Sequence, residues 1–428
     1  MSTNYRRVVV TGLGVCAPEA LQVNDLHQLL LANRSGVRHF PELAKLGFSC
    51  QIGGMPNLEA VELENYFSRP WLKGLNSKGL VYAALSGKEA WLDAGLPLDM
   101  EGRDADTGIV FGAGILGIDK LREAIHKVDQ GEVRRLGSTT VLQTMTSGAS
   151  AYLAGMFGCG NRVSANSAAC STGTEAIALG FDWIRQGKAK RMLVGSTSEG
   201  GPYVWGGFDA MRILPRKYND RPTEASRPMS ASASGFVPSC GAGALVLEEL
   251  ESAKEREVEI YAEIEAAVVN SGGQREGGSF TSPNPRAVLE CIDKTIEESR
   301  TPPGQIDAIN GHLTATGGDL AEIKAWHEAF HKRGQALPFT NSFKGHIGHA
   351  LAAAGSIESV GCVLQLKHQV VYGNHNLTDV HPDIAGFASS SLLQKSQPTS
   401  LKRVIKASFG FGDVNACLIF RNWPEPKA

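Results

Sequence analysis

One cysteine in the sequence is placed where it could act as a nucleophile. Cys170 lies in the small-residue segment Ser167-Ala-Ala-Cys170-Ser-Thr-Gly173, directly before an apolar stretch that is predicted to be helical. Unpaired amides and the macrodipole at the start of a helix favour the thiolate form of a cysteine. We therefore expect a reactive thiolate at Cys170. An inert cysteine in the protein core is an equally ordinary interpretation of this segment taken alone.

Two histidines and a lysine follow predicted strands in the second half of the chain. His312 stands in the segment Asn310-Gly-His312-Leu-Thr-Ala-Thr-Gly-Gly-Asp319, and Lys344 and His349 stand just before a helix of small residues. A histidine at a strand end can project into a cleft and act there in acid–base chemistry. For His312, a purely structural role is the alternative. Farther on, Ala407-Ser-Phe409-Gly-Phe-Gly-Asp-Val-Asn415 offers flexible backbone amides.

The elements that must position these groups alternate between short β-branched strands and amphipathic helices, which favours an α/β fold. A second set of elements begins near Ile260, so we expect two similar halves, residues 1–260 with Cys170 and residues 261–428 with the His, Lys and Gly-rich segments. The stretch Asn270–Pro285 is predicted to be a loop because Gly, Ser and Pro are frequent in it. Predicted helical stretches are Gly180–Gln186 and Ile323–Phe330. Predicted strands are Arg7–Thr11, Thr107–Phe111, Arg191–Gly195, Gly243–Glu248, Ile306–Asn310, Phe339–Ser342 and Ala416–Phe420.

Composition and charge narrow the class of protein. The 428 residues are 42% hydrophobic and 20% charged, and the formal net charge is −2. These values are typical of a globular domain and give no electrostatic reason for nucleic-acid binding. The eight cysteines are scattered without a CxxC pair, which indicates a reduced, cytoplasmic protein. No stretch reaches the ~18 apolar residues of a membrane span, so we predict none.

Two glycine motifs and two histidine pairs raise the possibility of a cofactor or a metal. Gly12-Leu-Gly-Val-Cys-Ala17 and Gly112-Ala-Gly-Ile-Leu-Gly117 match dinucleotide-binding patterns, but neither is followed by a strand with an acidic end. We interpret both as tight turns. The pairs His346/His349 and His327/His331 have spacings compatible with shared ligation, yet no acidic or cysteine partner stands nearby. We expect no cofactor and no metal ion.

In their order and residue types, the four segments around Cys170, His312, Lys344 and Phe409 resemble the β-ketoacyl-acyl carrier protein synthases, the elongating condensing enzymes of types I and II. The resemblance covers essentially the whole chain, from Val8-Val-Val-Thr-Gly-Leu-Gly14 to Asn415-Ala-Cys-Leu-Ile-Phe420. It implies the thiolase fold, in which two similar halves form a five-layered αβαβα arrangement. It also implies a homodimer, although a heterodimer is possible.

The resemblance further implies an acyltransferase reaction, in which a malonyl thioester loses carbon dioxide and condenses with an acyl group held on a cysteine. Both thioesters would be carried by an acyl carrier protein, in fatty acid, polyketide or polyene chain elongation. The alternative is a non-catalytic, chain-length-determining partner of another ketosynthase. Such subunits lack the nucleophile that Cys170 matches.

Position by position, Cys170 matches the acylated nucleophile of the family, His312 and His349 match its histidine pair, and Lys344 matches a supporting lysine. Phe409 matches the gating phenylalanine, whose backbone amide joins that of Cys170 in an oxyanion hole.

Further assignments concern the substrate and its carrier. Ile115 and Leu116 are predicted to line the acyl pocket, with core packing as the alternative. Three basic residues are predicted to contact the carrier, with a solvated loop as the alternative: Arg212, Arg216 and Lys217. The chain departs from the family pattern at Leu313 and Asp413, where glycine is usual, and its loop from His312 to Asp319 is one residue shorter. Leu313 is expected to reshape the malonyl side of the site.

Overall fold

The computed structural model describes residues 5–98 and 101–424, and its regular elements alternate between strands and helices along the chain. The strands are β1 Val8–Cys16, β2 Val37–His39, β3 Ile52–Gly54, β4 Thr107–Ala113, β5 Val163–Ser164, β6 Arg191–Ser198, β7 Gly241–Glu249, β8 Ala262–Ser271, β9 Ala308–Asn310, β10 Phe339–Asn341, β11 Val370–Val371, β12 Gln397–Pro398, β13 Arg403–Gly410 and β14 Val414–Asn422. The helices are α1 Val23–Leu31, α2 Pro41–Lys45, α3 Arg69–Leu72, α4 Lys78–Asp93, α5 Ile118–Asp129, α6 Thr140–Thr144, α7 Gly148–Phe157, α8 Thr172–Arg185, α9 Pro202–Ala210, α10 Leu250–Glu255, α11 Pro285–Ser299, α12 Gly318–His331, α13 Lys344–Ile347, α14 Ala354–His368 and α15 Pro382–Ala388.

Ten of the strands form one mixed sheet with the order β10-β9-β13-β14-β8-β1-β7-β6-β4-β5. The first five (β1, β4, β5, β6, β7) and the last five (β8, β9, β10, β13, β14) have the same spatial order when each set is numbered along the chain, namely 3-2-4-5-1. The sets meet where β1 pairs with β8 in antiparallel register, Val8 opposite Ile264. The two halves expected from the sequence are therefore structural equivalents, and we propose residues 260 and 261 as their boundary.

Helices lie on both faces of each half and produce five layers. Helices α4 and α7 cover one face of the first half, and α11 covers one face of the second half with α12 against it. Helices α8 and α14 contact each other and lie between the two halves, where α8 packs on β6 and α14 packs on both β7 and β13. This αβαβα arrangement is the predicted fold. It places the N-termini of α8 and α14, and the segments just before them, side by side at the centre of the molecule.

Small residues make that central contact possible. A Cβ atom on Gly173 of α8 would lie 2.4 Å from the backbone nitrogen of Ser356, and one on Gly355 of α14 would lie 2.4 Å from the Thr174 side chain. Any larger residue at either position would force the two helices apart. The small-residue runs that flank the predicted site therefore bring its two parts together.

The glycine motif at the N-terminus has a packing role rather than the predicted turn role. Gly12 and Gly14 lie inside β1, where Cβ atoms would come within 2.1 Å of the Ala90 carbonyl oxygen and 1.9 Å of the Ser86 carbonyl oxygen on α4. These glycines let a strand and a helix approach closely. Gly117 does adopt a turn conformation, with φ of 64° at the start of α5.

The predicted strands all fall on observed strands, with differences of up to five residues at their ends. The two predicted helical stretches fall on α8 and α12, which begin eight and five residues earlier. The predicted loop Asn270–Pro285 is shorter than expected, because β8 continues to Ser271 and α11 begins at Pro285. Within residues 5–98 and 101–424, no helix is both long enough and apolar enough to cross a membrane.

Candidate active site

Cys170 sits in a tight turn immediately before α8. The turn Ala169–Ser171 is a short 3₁₀ helix, and Ala169 adopts a left-handed φ of 47°, a conformation that is uncommon without glycine. The hydroxyl of Ser171 donates hydrogen bonds to the carbonyls of Ser408 and Val414, at 3.2 and 2.8 Å. The second half of the molecule thus holds the turn in place, and Cys170 remains partly exposed.

The two predicted histidines lie beside this cysteine. The Nε2 atom of His349 is 3.1 Å from the Sγ atom of Cys170. The rings of His312 and His349 have centroids 5.4 Å apart and stand almost perpendicular, at 83°. The donor atoms of all three residues lie within 4.8 Å of one another. This group has the spacing of a metal-ligating cluster, but the nearby Lys344 ammonium opposes a cation there.

Backbone hydrogen bonds fix the position of each histidine. A buried carboxylate, that of Glu322 on α12, accepts hydrogen bonds from the N–H groups of His312 and Leu313 at 2.7 and 2.8 Å. The N–H of His349 donates to the Val237 carbonyl at 2.8 Å. Residues that sequence analysis did not single out therefore fix the backbone from which each imidazole projects.

The protonation states differ from the thiolate expected at Cys170. Burial raises the pKa of the Cys170 thiol to about 11, and this effect outweighs the lowering by Lys344 and by nearby backbone N–H groups. Burial, with the positive charge of Lys344, lowers the pKa values of both His312 and His349 well below the usual value. The resting site consequently contains a neutral thiol against a neutral imidazole. Desolvation therefore opposes the thiolate expected at Cys170 and exceeds the lowering by Lys344 and by the two backbone N–H groups.

Lys344 lies behind the histidines in a buried ion cluster. Its Nζ atom is 2.5 Å from Oε1 of Glu358 on α14, and the Nζ atom of Lys406 on β13 is 2.8 Å from Oε2 of the same carboxylate. Lys406 and Glu358 were not identified from the sequence. The available signal was a lysine inside the apolar strand run Val404-Ile-Lys-Ala407.

The backbone amide near the sulfur belongs to Phe411 and not to the predicted Phe409. Phe409 lies within β13, opposite Asn415, and its side chain is 4% exposed in the core of the second half. Phe411 is the first residue beyond β13, so its N–H is outside the strand, and this N–H and that of Cys170 itself lower the thiol pKa. The amide predicted to face the sulfur is therefore corrected from Phe409 to Phe411, while the Phe409 ring lines the cavity 6.4 Å from the ring of His312.

A cavity of about 830 Å³ is lined in part by Cys170, His312 and His349. Its walls are largely apolar and aromatic, with contributions from Val204, Phe208, Phe236, Phe280 and Phe411. Of the two predicted pocket residues, Ile115 lines the cavity and is 46% exposed, whereas Leu116 is 4% exposed and belongs to the core of the first half. Leu116 is therefore a packing residue, because successive residues point in different directions from the backbone.

The two residues at which the chain departs from the family pattern, Leu313 and Asp413, have different structural roles. Leu313 is fully buried among core residues such as Ile323 and Trp326, with a φ of 22°, and it does not line the cavity. Leu313 therefore packs in the core of the second half, and its effect on the malonyl side stays a prediction. Asp413 is also buried, and its carboxylate accepts hydrogen bonds from the backbone N–H groups of Gln274 and Asn284 at 2.9 and 2.8 Å.

A cysteine and two imidazoles at the mouth of an apolar cavity have the geometry of a thiol-dependent acyl-transferring enzyme. Comparison with known proteins agrees. Residues 5–253 match the family described as beta-ketoacyl synthase, N-terminal domain, and residues 261–378 match its C-terminal domain. The chain belongs to the beta-ketoacyl synthase family, whose members are condensing acyltransferases.

Relatives in sequence and structure extend over nearly the whole chain. The 3-oxoacyl-[acyl-carrier-protein] synthase 1 of Escherichia coli is 31% identical, with 97% of this chain and 99% of that protein covered. Synthase 2 of Vibrio harveyi is 32% identical, with coverage of 98% and 99%. A crystal structure of a beta-ketoacyl synthase from Burkholderia phymatum superimposes with a TM-score of 0.87 at 26% identity, covering 97% and 99%. A type II polyketide ketosynthase solved with its acyl-carrier protein superimposes at 0.85 and 27% identity, covering 98% and 100%. The family predicted from the sequence is confirmed.

Proposed function

We propose that the protein elongates acyl chains by decarboxylative condensation of a malonyl thioester with an acyl group held on Cys170. The observation that carries this proposal is the 3.1 Å contact between Cys170 Sγ and His349 Nε2 at the mouth of the cavity. The thiol and its base are in hydrogen-bond contact, and the acyl chain has an apolar space to occupy.

In the first step, Cys170 takes the acyl group from a thioester. The Sγ–H proton passes to Nε2 of His349 as Sγ bonds to the carbonyl carbon, which suits a thiol whose pKa of about 11 leaves it neutral at rest. The backbone N–H groups of Cys170 and Phe411 stabilise the oxyanion, and such donors contribute about 3–4 kcal/mol each in characterised cases. The carbon–sulfur bond of the incoming thioester breaks, and its sulfur leaves with the proton from His349.

In the second step, the malonyl thioester supplies the carbanion. The bond between its α-carbon and its carboxylate carbon breaks, and carbon dioxide leaves. The electron pair of that bond remains with the thioester, which becomes an enolate. Once Cys170 is acylated, neutral His349 takes the tautomer that carries its proton on Nε2, and its N–H and that of neutral His312 are then suited to donate to the enolate oxygen. The enolate carbon then bonds to the acyl carbon, the bond to Sγ breaks, and Sγ recovers a proton from solvent. Lys344, buried beside Glu358, orients the site and gives it positive charge.

The partner proposed for both steps is an acyl carrier protein, and the solved ketosynthase that binds its acyl-carrier protein supports this. Exposed Arg212 lies between the cavity residues Met211 and Ile213, and exposed Arg216 and Lys217 follow a few residues later. We interpret these three residues as a basic binding site for the carrier.

We also propose a homodimer and a cytoplasmic location. One apolar stripe on α5 supports the dimer, because Leu121, Ile125 and Val128 are 42%, 53% and 49% exposed along one face of the helix. The scattered free cysteines support a reducing compartment.

The experiment that tests the proposal is intact-mass analysis after incubation with a panel of acyl carrier thioesters. The wild-type protein is expected to gain one acyl mass, which malonyl carrier then removes as elongated product. The variant Cys170→Ala is the matched control and should gain none. Absence of an adduct with every donor would instead favour the non-catalytic, chain-length-determining subunit.

A further inference from the structure

Two buried lysines share one carboxylate directly behind the histidine pair. The side chains of Lys344, Glu358 and Lys406 are 1%, 1% and 0% exposed. When all three are ionised, two ammonium groups face the one carboxylate of Glu358, which leaves one net positive charge within this buried cluster; the Glu322 carboxyl group acts on Lys344 from outside it. A buried charge that lacks a counter-charge is unfavourable in the resting protein.

Lys406 is held in this place by several contacts. Its Nζ atom lies 2.8 Å from Glu358 Oε2 and 3.4 Å from the Ser408 hydroxyl, and it also donates to the Ala407 carbonyl. Ser408 in turn is hydrogen-bonded to Thr174 at 2.8 Å, on the helix that begins beside Cys170. These contacts therefore fix the ammonium group where α8, α14 and β13 meet, between the two halves of the site.

We propose that Lys406 is a positioning residue for the decarboxylation and condensation step, and that its charge favours the enolate. This inference rests on the proposed function. An anion forms in the site only during the reaction, when the malonyl thioester becomes an enolate. Surplus positive charge that is unfavourable at rest then acts in favour of the transition state.

The charges that act on each reacting group indicate that Lys406 affects one reaction step more than the other. Lys344 and Lys406 both lower the pKa values of His312 and His349, whereas the lysine among the main influences on the Cys170 thiol is Lys344. Lys406 should therefore influence condensation, which uses both imidazoles, more than acyl transfer, which uses the thiol and His349 alone. The titratable groups that face this cluster from the surrounding elements are Cys170, His312, Glu322, His349, Cys362 and Cys417.

The test compares Lys406→Met with Lys402→Met, which removes an exposed lysine next to the same strand. In Lys406→Met, the remaining Lys344–Glu358 pair is balanced, so the fold is expected to be retained. Acyl transfer to Cys170 should change less than threefold. Condensation from pre-acylated enzyme should fall roughly tenfold to hundredfold, less than or comparable to loss of a direct oxyanion donor. Lys402→Met should match the wild type in both steps.

A second measurement does not depend on turnover. Imidazole NMR titration of the free protein should show at least one of His312 and His349 titrating about one pH unit higher in Lys406→Met, the size of shift that a nearby charge produces. Unchanged titration with unchanged condensation would overturn the role of Lys406, as would an equal loss in both steps or loss of the fold. Wild-type protein that never acylates Cys170 contradicts the proposed function instead, and the titration alone then decides the role of Lys406.

Discussion

The carboxylate of Asp413 accepts a hydrogen bond of 2.8 Å from the backbone N–H of Asn284, and so connects the Gly-rich segment after β13 to the loop 272–284. The same carboxylate accepts from Gln274, and the N–H of Gly412 donates to the Phe280 carbonyl at 2.7 Å. Cβ atoms on Gly272 or Gly278 would lie 2.2 or 2.6 Å from this carboxylate. Glycines in the loop therefore make room for an aspartate, and two segments that carry cavity-lining phenylalanines are joined.

Replacement of Asp413 by glycine should release this loop. Glycine tolerates the left-handed φ of 64° at this position, so the backbone is not strained, but two hydrogen bonds to the loop are lost. Hydrogen exchange of peptides covering residues 272–284 should become faster, while exchange in α8 stays the same. The exposed Asp383→Gly variant provides the control for global destabilisation. Unchanged protection of the loop in Asp413→Gly would show that the carboxylate does not hold it.

The raised pKa of Cys170 predicts how the free thiol reacts with iodoacetamide. Because the pKa is about 11, the thiolate fraction and the alkylation rate should increase about tenfold per pH unit from pH 7 to 10. A thiol activated at rest, with a pKa below that of free cysteine, would instead give a rate that levels off near or below neutral pH. Mass spectrometry of the Cys170 peptide at timed intervals measures this rate. A plateau below pH 8 would contradict the neutral resting thiol.

Removal of the carboxylate that Lys344 and Lys406 share should lower the free energy of unfolding more than removal of either lysine. Glu358→Gln leaves two buried ammonium groups without a counter-charge, and breaking a buried pair in this way commonly costs about 3–5 kcal/mol. Urea denaturation should show this loss in the free energy of unfolding. The variant Glu255→Gln, at an exposed residue at the end of α10, serves as the surface control. Equal midpoints for Glu358→Gln and Lys406→Met would indicate that the carboxylate does not balance both lysines.

Substitutions at the neighbouring residues Ile115 and Leu116 should affect different properties, namely the preferred acyl chain and the stability of the fold. Ile115→Trp places bulk in the cavity, so the longest acyl chain accepted on Cys170 should shorten while the unfolding midpoint changes little. Leu116→Ala removes a core side chain and should cost about 2–5 kcal/mol of stability without changing chain preference. Intact-mass detection of acyl adducts, together with urea denaturation, separates the two effects. A shift in chain preference in Leu116→Ala would show that this side chain does reach the pocket.

The sequence by itself determined the α/β class, the family, the two halves and the residues Cys170, His312, Lys344 and His349 that meet at the centre. These follow from short-range patterns: β-branched runs, small residues before helices, and motifs whose order is visible in one dimension. The same reasoning located the strands to within a few residues.

The tertiary structure alone decided which amide faces the sulfur, which of two adjacent residues lines the pocket, and how the site is charged. Phe409 and Phe411 have nearly the same sequence neighbours, and the end of β13 at Gly410 separates their roles. The neutral thiol and the Lys344–Glu358–Lys406 cluster depend on burial and on contacts between distant segments. Desolvation and long-range charge interactions are properties of three-dimensional packing, so no local pattern in the sequence reports them.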